Sequence, residues 1–308
     1  MVNVYEAVSA NKTKSYFIVA SFFVFVALVV YVLSQAFSYY LGYQPGGLGF
    51  LGLALTVSGL MSLGGYYFSD KVVLGLSGAR LADRKKDFTF YTVVENLCIG
   101  TGLSKPKLYV INDSAPNAFA TGRDPEHAAI CATTGLLDKL SRTELEGVLA
   151  HELSHVKNYD TRLMAIVAVL VGMVALLGDW FLRMSWGGRR SSDDNKGVGG
   201  IFLVLGLVFA ILSPFIAQLI QLAVSRRREF MADAGSVSIT KQPDGLISAL
   251  TKISQDNEPL EVANKATAHL YIINPFKEKG HGAVSWFANL FNTHPPIEER
   301  IKALKSMV

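Results

Sequence analysis

Charge is scarce in this chain and cysteine nearly absent. Only 18% of its 308 residues are Asp, Glu, Lys or Arg, while 50% are hydrophobic and the mean hydropathy is +0.31. An average soluble domain carries about 25% charged residues, so one soluble domain does not account for the chain. A polar part joined to membrane segments does. The net charge of +4 is small and dispersed, which excludes the basic footprint of a nucleic-acid partner. Two cysteines, Cys98 and Cys131, cannot build a disulfide framework and lack C-x-x-C metal spacing. They read as small apolar core residues in a reducing compartment. No internal repeat or low-complexity tract is present.

Long apolar runs are abundant instead. Four are candidates to cross a bilayer, which takes ~20 helical residues: about Tyr16 to Phe37, Gly46 to Phe68, Leu163 to Leu177, and Gly200 to Val224 with Pro214 at its middle. Ala36-Phe37-Ser38 could pass for a signal-peptide cleavage site, but the run before it exceeds the ~7–15 apolar residues of a signal core. A second uncharged run follows almost at once, as in a retained membrane hairpin. Positive charges at the ends of the runs set orientation. Lys12 and Lys14 precede the first run; Lys71, Arg80, Arg84, Lys85 and Lys86 follow the second; Arg226, Arg227 and Arg228 follow the fourth. These place both termini and the polar segments in the cytoplasm. The loop carrying Arg183, Arg189, Arg190 and Lys196 opposes this, and a last hairpin that enters the bilayer only partly is the alternative.

The expected fold class is mostly α with a small β-sheet (α+β): four transmembrane helices plus a zincin-like catalytic domain in two parts. The boundaries are 1–68 for an N-terminal hairpin, 69–162 for the first catalytic part, 163–225 for a second hairpin and 226–308 for the second part. Within the first part Phe90 to Cys98 reads as a helix. Lys107 to Ile111, Asn117 to Thr121 and Ala128 to Thr133 read as strands, the last two joined by the turn Gly122-Arg123-Asp124-Pro125. Ser141-Arg142-Thr143-Glu144 is a capping box, with Thr143 to Glu146 a second register for the same helix start. Later, Arg226 to Val237, Leu246 to Ile253 and Ile297 to Ser306 read as helices, and Leu270 to Ile273 is an apolar run without an obvious place.

The chemistry concentrates in His151-Glu152-Leu153-Ser154-His155. On a helix, positions i and i+4 share a face, so both imidazoles reach one ion while Glu152 lies close without ligating. This is the H-E-x-x-H arrangement of zinc peptidases, with the glutamate as general base. Such matches also arise on ordinary surface helices. Here Val148, Leu149, Ala150 and Leu153 make the helix apolar, and buried histidines need partners. A catalytic zinc takes three protein ligands and keeps one position open. Glu229 is the best third candidate. Asp233, one turn on, could accept a hydrogen bond from a ligating imidazole. The competing reading is a surface helix with Arg226 to Arg228 among lipid headgroups and Glu229 paired to one of them.

Taken together, Ser69-Asp70-Lys71, Pro116 to Arg123, Leu149 to His155, Glu229-Phe230-Met231-Ala232-Asp233 and Thr293-His294-Pro295-Pro296 resemble the HtpX family of integral-membrane zinc metalloproteases, in the gluzincin class. The resemblance covers most of the chain. Four runs suit this branch better than the seven-span prenyl-protein proteases. It implies one Zn2+ per chain on His151, His155 and Glu229, and Glu152 as the base that activates the attacking water. It implies His294 near the reacting carbonyl as a donor to the oxyanion, a turn residue fixed by Pro295-Pro296 being the other reading. Asn117 to Thr121 is similar to the family's substrate-side strand, so a substrate would add as a strand along that edge. The implied substrates are polypeptides, namely misfolded or damaged membrane proteins met at the cytoplasmic surface of the cell membrane. With ~1.5 Å per helical residue, His155 and Glu229 fall within ~7–12 Å of the hydrocarbon edge. A silent membrane scaffold that keeps zinc for structure is the rival class. Glu152 and an incomplete ligand shell argue against it. Oligomeric state is not legible.

Overall fold

A computed structural model describes residues 9–21, 63–169, 226–262, 267–273 and 295–307, with a few isolated positions between 23 and 60. Most of the four expected spans, the loop 183–196 and Thr293-His294 lie outside the described residues. The described ends of the first and third runs, residues 16–21 and 163–169, are helical. Among the described residues no helix is long and apolar enough to cross a membrane. The described part is mostly helical with one four-stranded sheet.

The sheet comprises β1 (Arg80–Leu81), β2 (Lys107–Ile111), β3 (Ala118–Gly122) and β4 (Ala128–Thr133), in the order β1-β2-β4-β3. β2 and β4 run parallel; β1 and β3 pair antiparallel to them. β2 and β4 have the expected bounds, whereas β3 begins one residue later than expected. Asn117 is drawn out of it because its amide donates to the Ile273 carbonyl at 3.1 Å and its own N–H is held by Thr133 Oγ1. The unplaced run Leu270 to Ile273 belongs here. Ile272 N–H donates to the Ala118 carbonyl at 3.0 Å, and Tyr271 packs edge-on against Phe119. The chain itself therefore occupies the start of the β3 edge. β1 escaped notice because two residues show no alternation.

Among the described residues the helices that position the site are, in chain order, α1 (residues 9–21), α2 (Ser69–Leu76), α3 (Phe88–Thr101), α4 (Thr134–Lys139), α5 (Arg142–Lys157), α6 (residues 160–169), α7 (Arg226–Thr240), α8 (Pro243–Gln255) and α9 (Ile297–Lys305), and residues 63–67 ahead of α2 are helical as well. α5 is the central element: α3, α7, α8 and β3 all pack on it. Its start is the expected capping box. Ser141 Oγ accepts from Glu144 N–H, and Glu144 Oε2 accepts from Ser141 N–H at 2.7 Å. α8 crosses α5 at backbone contact, since a Cβ on Gly147 would stand 2.6 Å from the Leu246 nitrogen. The shared core joins Val148, Leu149 and Leu153 to Leu246, Leu250 and Ile253 of α8 and Leu304 of α9. The two polar stretches on either side of residues 163–225 thus bury one common core.

Glu144 ties the same crossing electrostatically. Buried at the start of α5, it accepts from Ser248 Oγ at 2.6 Å and Lys252 Nζ at 2.7 Å, both on α8. Burial pushes its carboxyl up, but these bonds and those from Ser141 outweigh it and hold the group at about 2. An unfolded glutamate titrates near ~4.3, so the folded value is depressed. The stabilisation is then full above the unfolded value of ~4.3 and disappears as pH falls through about 2. Glu144→Gln is expected to cost roughly 1–3 kcal/mol near neutrality, and the gap to the parent should narrow on acidification below pH ~4. Thermal unfolding in detergent across a pH series measures this; a gap independent of pH would show that ionic pairing is not involved.

Candidate metal centre

The helical spacing of α5 places the His151 and His155 rings on one face, centroids 4.7 Å apart and nearly perpendicular. Both are buried. Each Nδ1 meets a carboxylate: His151 faces Asp233 Oδ1 at 2.9 Å, and His155 faces Asp160 Oδ2 at 2.9 Å. A neutral imidazole with a carboxylate on Nδ1 keeps its proton there. In that tautomer each Nε2 lone pair points inward, and the two nitrogens stand 3.1 Å apart, close enough to share a proton. Glu229, on α7, completes the cluster with Oε1 3.5 Å from His155 Nε2 and Oε2 3.8 Å from His151 Nε2. One donor atom from each of the three residues lies within 4.8 Å of the others.

Lone pairs facing a carboxylate in a buried site repel unless a proton or a metal ion lies among them. The donor set of two imidazoles and one carboxylate suits zinc with a fourth position open. The two rings differ in how they tolerate positive charge. Burial pushes His151 down to about 4, helped by the Arg300 and His155 charges and opposed by Asp233. His155 is pushed down by burial but carried well above its ordinary value by Asp160 and Glu229.

Glu152 is buried beside the cluster. Burial, reinforced by the Glu229 charge and opposed by His155 and Arg300, raises its carboxyl to about 7. The Ala120 N–H of β3 donates to it. A carboxyl balanced near neutrality can both take and return a proton. α7 comes close enough to present Glu229 because Gly235 packs on Ser154. A Cβ at Gly235 would overlap the Ser154 hydroxyl, and Ser236 Oγ donates to the Gly147 carbonyl at 2.8 Å.

The structure thus brings together His151, Glu152, His155, Glu229 and Asp233. His294 lies outside the described residues. The surface-helix alternative for residues 226–233 does not match: Arg226 and Arg227 are exposed, but Arg228, Glu229 and Asp233 are buried. Two residues of the site were missed in the sequence. Asp160 follows a turn in which Tyr159 takes a left-handed φ of 60°, so helical spacing from His155 does not reveal it. Arg300, on α9, is fully buried; its Nε and Nη2 donate to Asp233 at 2.9 and 2.6 Å, and its Nη1 donates to the Ile272 carbonyl and lies 3.7 Å from Glu229 Oε2. Glu298, Glu299 and Lys302 around it suggest a solvated helix. The overlooked signal is that Arg300 shares the helix face of Ile297, Ile301 and Leu304, where a lone charge needs a buried partner.

Residues 85–308 match the pattern of peptidase family M48. A "Protease HtpX homolog" of Caldanaerobacter subterraneus subsp. tengcongensis is 43% identical over 306 residues, covering 98% of this chain and 97% of that protein. A "Protease HtpX homolog" of Dictyoglomus turgidum is 44% identical over 303 residues, covering 98% and 94%. Among solved structures, S. mikatae Ste24p is similar at a TM-score of 0.47 and 17% identity, covering 99% of this chain and 67% of that one, a likeness too remote to argue from.

Arg300 gives a direct check on the carboxylate arrangement. Arg300→Ala leaves Asp233 without its buried partner and is expected to cost about 3–5 kcal/mol, read as a lowered unfolding temperature of the metal-free protein. Arg300→Lys keeps the charge but loses the two-point grip and should fall between. A lysine variant indistinguishable from the parent would contradict this account of Asp233.

Proposed function

The chain belongs to peptidase family M48 and is a metallopeptidase, and from that premise we propose that it is a membrane-seated zinc metalloendopeptidase. The observation that carries this reading is the convergence of His151 Nε2, His155 Nε2 and a Glu229 oxygen in one buried cluster with Glu152 alongside. His151, His155 and Glu229 would hold one Zn2+ per chain. When bound there, zinc supplies Lewis acidity, making a water acidic and drawing charge toward a carbonyl oxygen.

The chain's own groups do the rest. Glu152 takes the proton of the attacking water and returns it to the leaving amine. The Ala120 N–H holds its carboxylate in place. Asp233 and Asp160 fix the Nδ1 protons so that both Nε2 atoms face inward. The substrate would lie along the β3 edge. Asn117 C=O faces β4, where it accepts from Thr133 N–H, so the main-chain groups of Ala118, Ala120 and Gly122 face the other way. The Ala118 carbonyl is taken by Ile272 and the Ala120 N–H by Glu152, which leaves the Ala120 carbonyl and the outward groups of Gly122 as the place where a substrate strand would pair. His294 would donate to the oxyanion. Arg300, in the helix that follows it, already binds Asp233.

A membrane setting is supported by the sequence's apolar runs and by a surface feature. Tyr16 and Phe17 of α1, and Leu60, Leu63, Tyr67 and Phe68 ahead of α2, are large apolar side chains exposed to solvent. They fall in or beside the first two expected spans. α6 leaves the cluster directly into the third run, and α7 enters it directly from the fourth. The Lys and Arg residues flanking the runs support a site at the cytoplasmic face of the cell membrane, where the substrates would be misfolded or damaged membrane proteins. In this organisation residues 69–162 and 226–308 form the catalytic unit, and residues 1–68 and 163–225 form its two hairpins.

Glu152→Gln in the full chain, purified in detergent, should retain stoichiometric zinc while cleavage of a quenched fluorescent peptide, and of the protein by itself, falls on the order of 10²-fold or more. Undiminished cleavage would remove Glu152 from its role. His294→Ala should lower kcat by about 10²–10³-fold with a smaller change in KM; a change confined to KM would assign His294 to substrate binding alone.

A further inference from the structure

The buried network around His155 does not stop at Asp160. Asn11, on α1 ahead of the first apolar run, is only 3% exposed. Its side-chain amide donates to Asp160 Oδ1 at 2.7 Å and to the Asn158 carbonyl at 3.0 Å. Its oxygen accepts from Arg228 Nη1 at 3.3 Å, and Arg228 Nε lies 3.8 Å from the same Asp160 oxygen. The other Asp160 oxygen holds His155 Nδ1. A side chain at the N-terminus is therefore two hydrogen bonds from an imidazole of the metal centre, and it also touches the residue just before Glu229.

Asp160 sits where it does because the chain turns sharply after α5. Tyr159 adopts φ 60°, a conformation that costs a non-glycine residue about 1–3 kcal/mol and persists where its surroundings fix it. The surroundings that fix it are largely α1. Asn11 binds the backbone on one side of Tyr159 and the side chain on the other. Lys12 Nζ stands over the Tyr159 ring at 4.3 Å, with the Arg162 guanidinium 5.0 Å from the same ring. Without this clamp the turn could relax to ordinary backbone angles, and Asp160 would leave His155 Nδ1.

We propose that α1 is a working part of the metal centre, with Asn11 a positioning residue that, through the strained turn at Tyr159, holds Asp160 on His155 and so sets the geometry and strength of metal binding. This rests on the reading of His155 as a ligand. It assigns the N-terminal segment a role beyond membrane anchoring: whatever displaces α1 loosens the metal.

The test uses the full chain in detergent and two readouts that do not need activity. One is the rate at which bound Zn2+ is lost to a chelator. The other is the visible absorption of the Co2+-loaded protein, which reports ligand geometry. Asn11→Ala should speed zinc loss by about 10–100-fold and shift the cobalt bands. Asn11→Asp, which sets a carboxylate against Asp160, should be at least as damaging. The neighbouring Lys14→Ala should match the parent. Asp160→Asn should resemble Asn11→Ala, and combining the two should add little, because they act along one path. A purely structural anchor predicts otherwise: a lower unfolding temperature for metal-free Asn11→Ala with parental zinc loss and cobalt bands, which would overturn the proposal, as would fully additive effects. If Asn11→Ala does not fold, Lys12→Ala reads the same turn more gently; it should move both signals in the same direction, and parental values would equally overturn the proposal. His155→Ala separates the two ideas. Retained metal there refutes the ligand reading itself, whereas metal lost there but unchanged in Asn11→Ala refutes only the role of α1.

Discussion

Two imidazole nitrogens held 3.1 Å apart, in a buried site and beside a carboxylate, are the constraint around which the molecule is organised. Nothing in an apolar interior favours that arrangement by itself. It needs positive charge at its centre, a proton shared between the rings or a metal ion, and a frame that keeps each ring from turning away. The frame is Asp233 on one ring and Asp160 on the other, and each carboxylate is itself held, by Arg300 and by Asn11 with Arg228. From the centre outward, every layer is charged or polar and buried, and α7 contributes to each, with Glu229, Asp233 and Arg228, beside residues of α1, α6 and α9.

That layering explains the fold's unusual economy. α5 is short of polar surface because all its faces are used: sheet and α3 on one side, α8 and α7 on the others. The glycines at 147 and 235 let helices approach to backbone distance, so the second polar stretch delivers Glu229 and Asp233 onto α5. α9 then closes over them with Arg300. A buried arginine is costly unless fully paired. Here its partners are two carboxylates that would otherwise be costly themselves. In the proposed organisation a membrane hairpin connects the halves, and its two ends enter and leave the site through α6 and α7.

Elements whose cause is local were legible in the sequence. The capping box at Ser141, the strands with β-branched and apolar residues, and the i, i+4 histidine pair all announce themselves within a few residues. Glu229 and Asp233 were legible because one helical turn separates them in an otherwise apolar run. Asp160 was not, because a left-handed tyrosine breaks the spacing. Arg300 and Asn11 were not, because each sits among charged neighbours and its burial depends on contacts more than sixty residues away in the chain. The closure of the β3 edge by Ile272 was invisible for the same reason. Supporting groups around a buried centre come from wherever the chain returns, and local pattern carries no record of that.

The central claim is that two imidazoles and one carboxylate of this chain bind zinc. X-ray absorption at the zinc edge, on the full chain purified without added chelator, measures it most directly. The account predicts one zinc per chain with two imidazole nitrogens and oxygen neighbours at about 2.0–2.2 Å and no sulfur. A thiolate distance near ~2.3 Å, or a shell with a single imidazole, would contradict it.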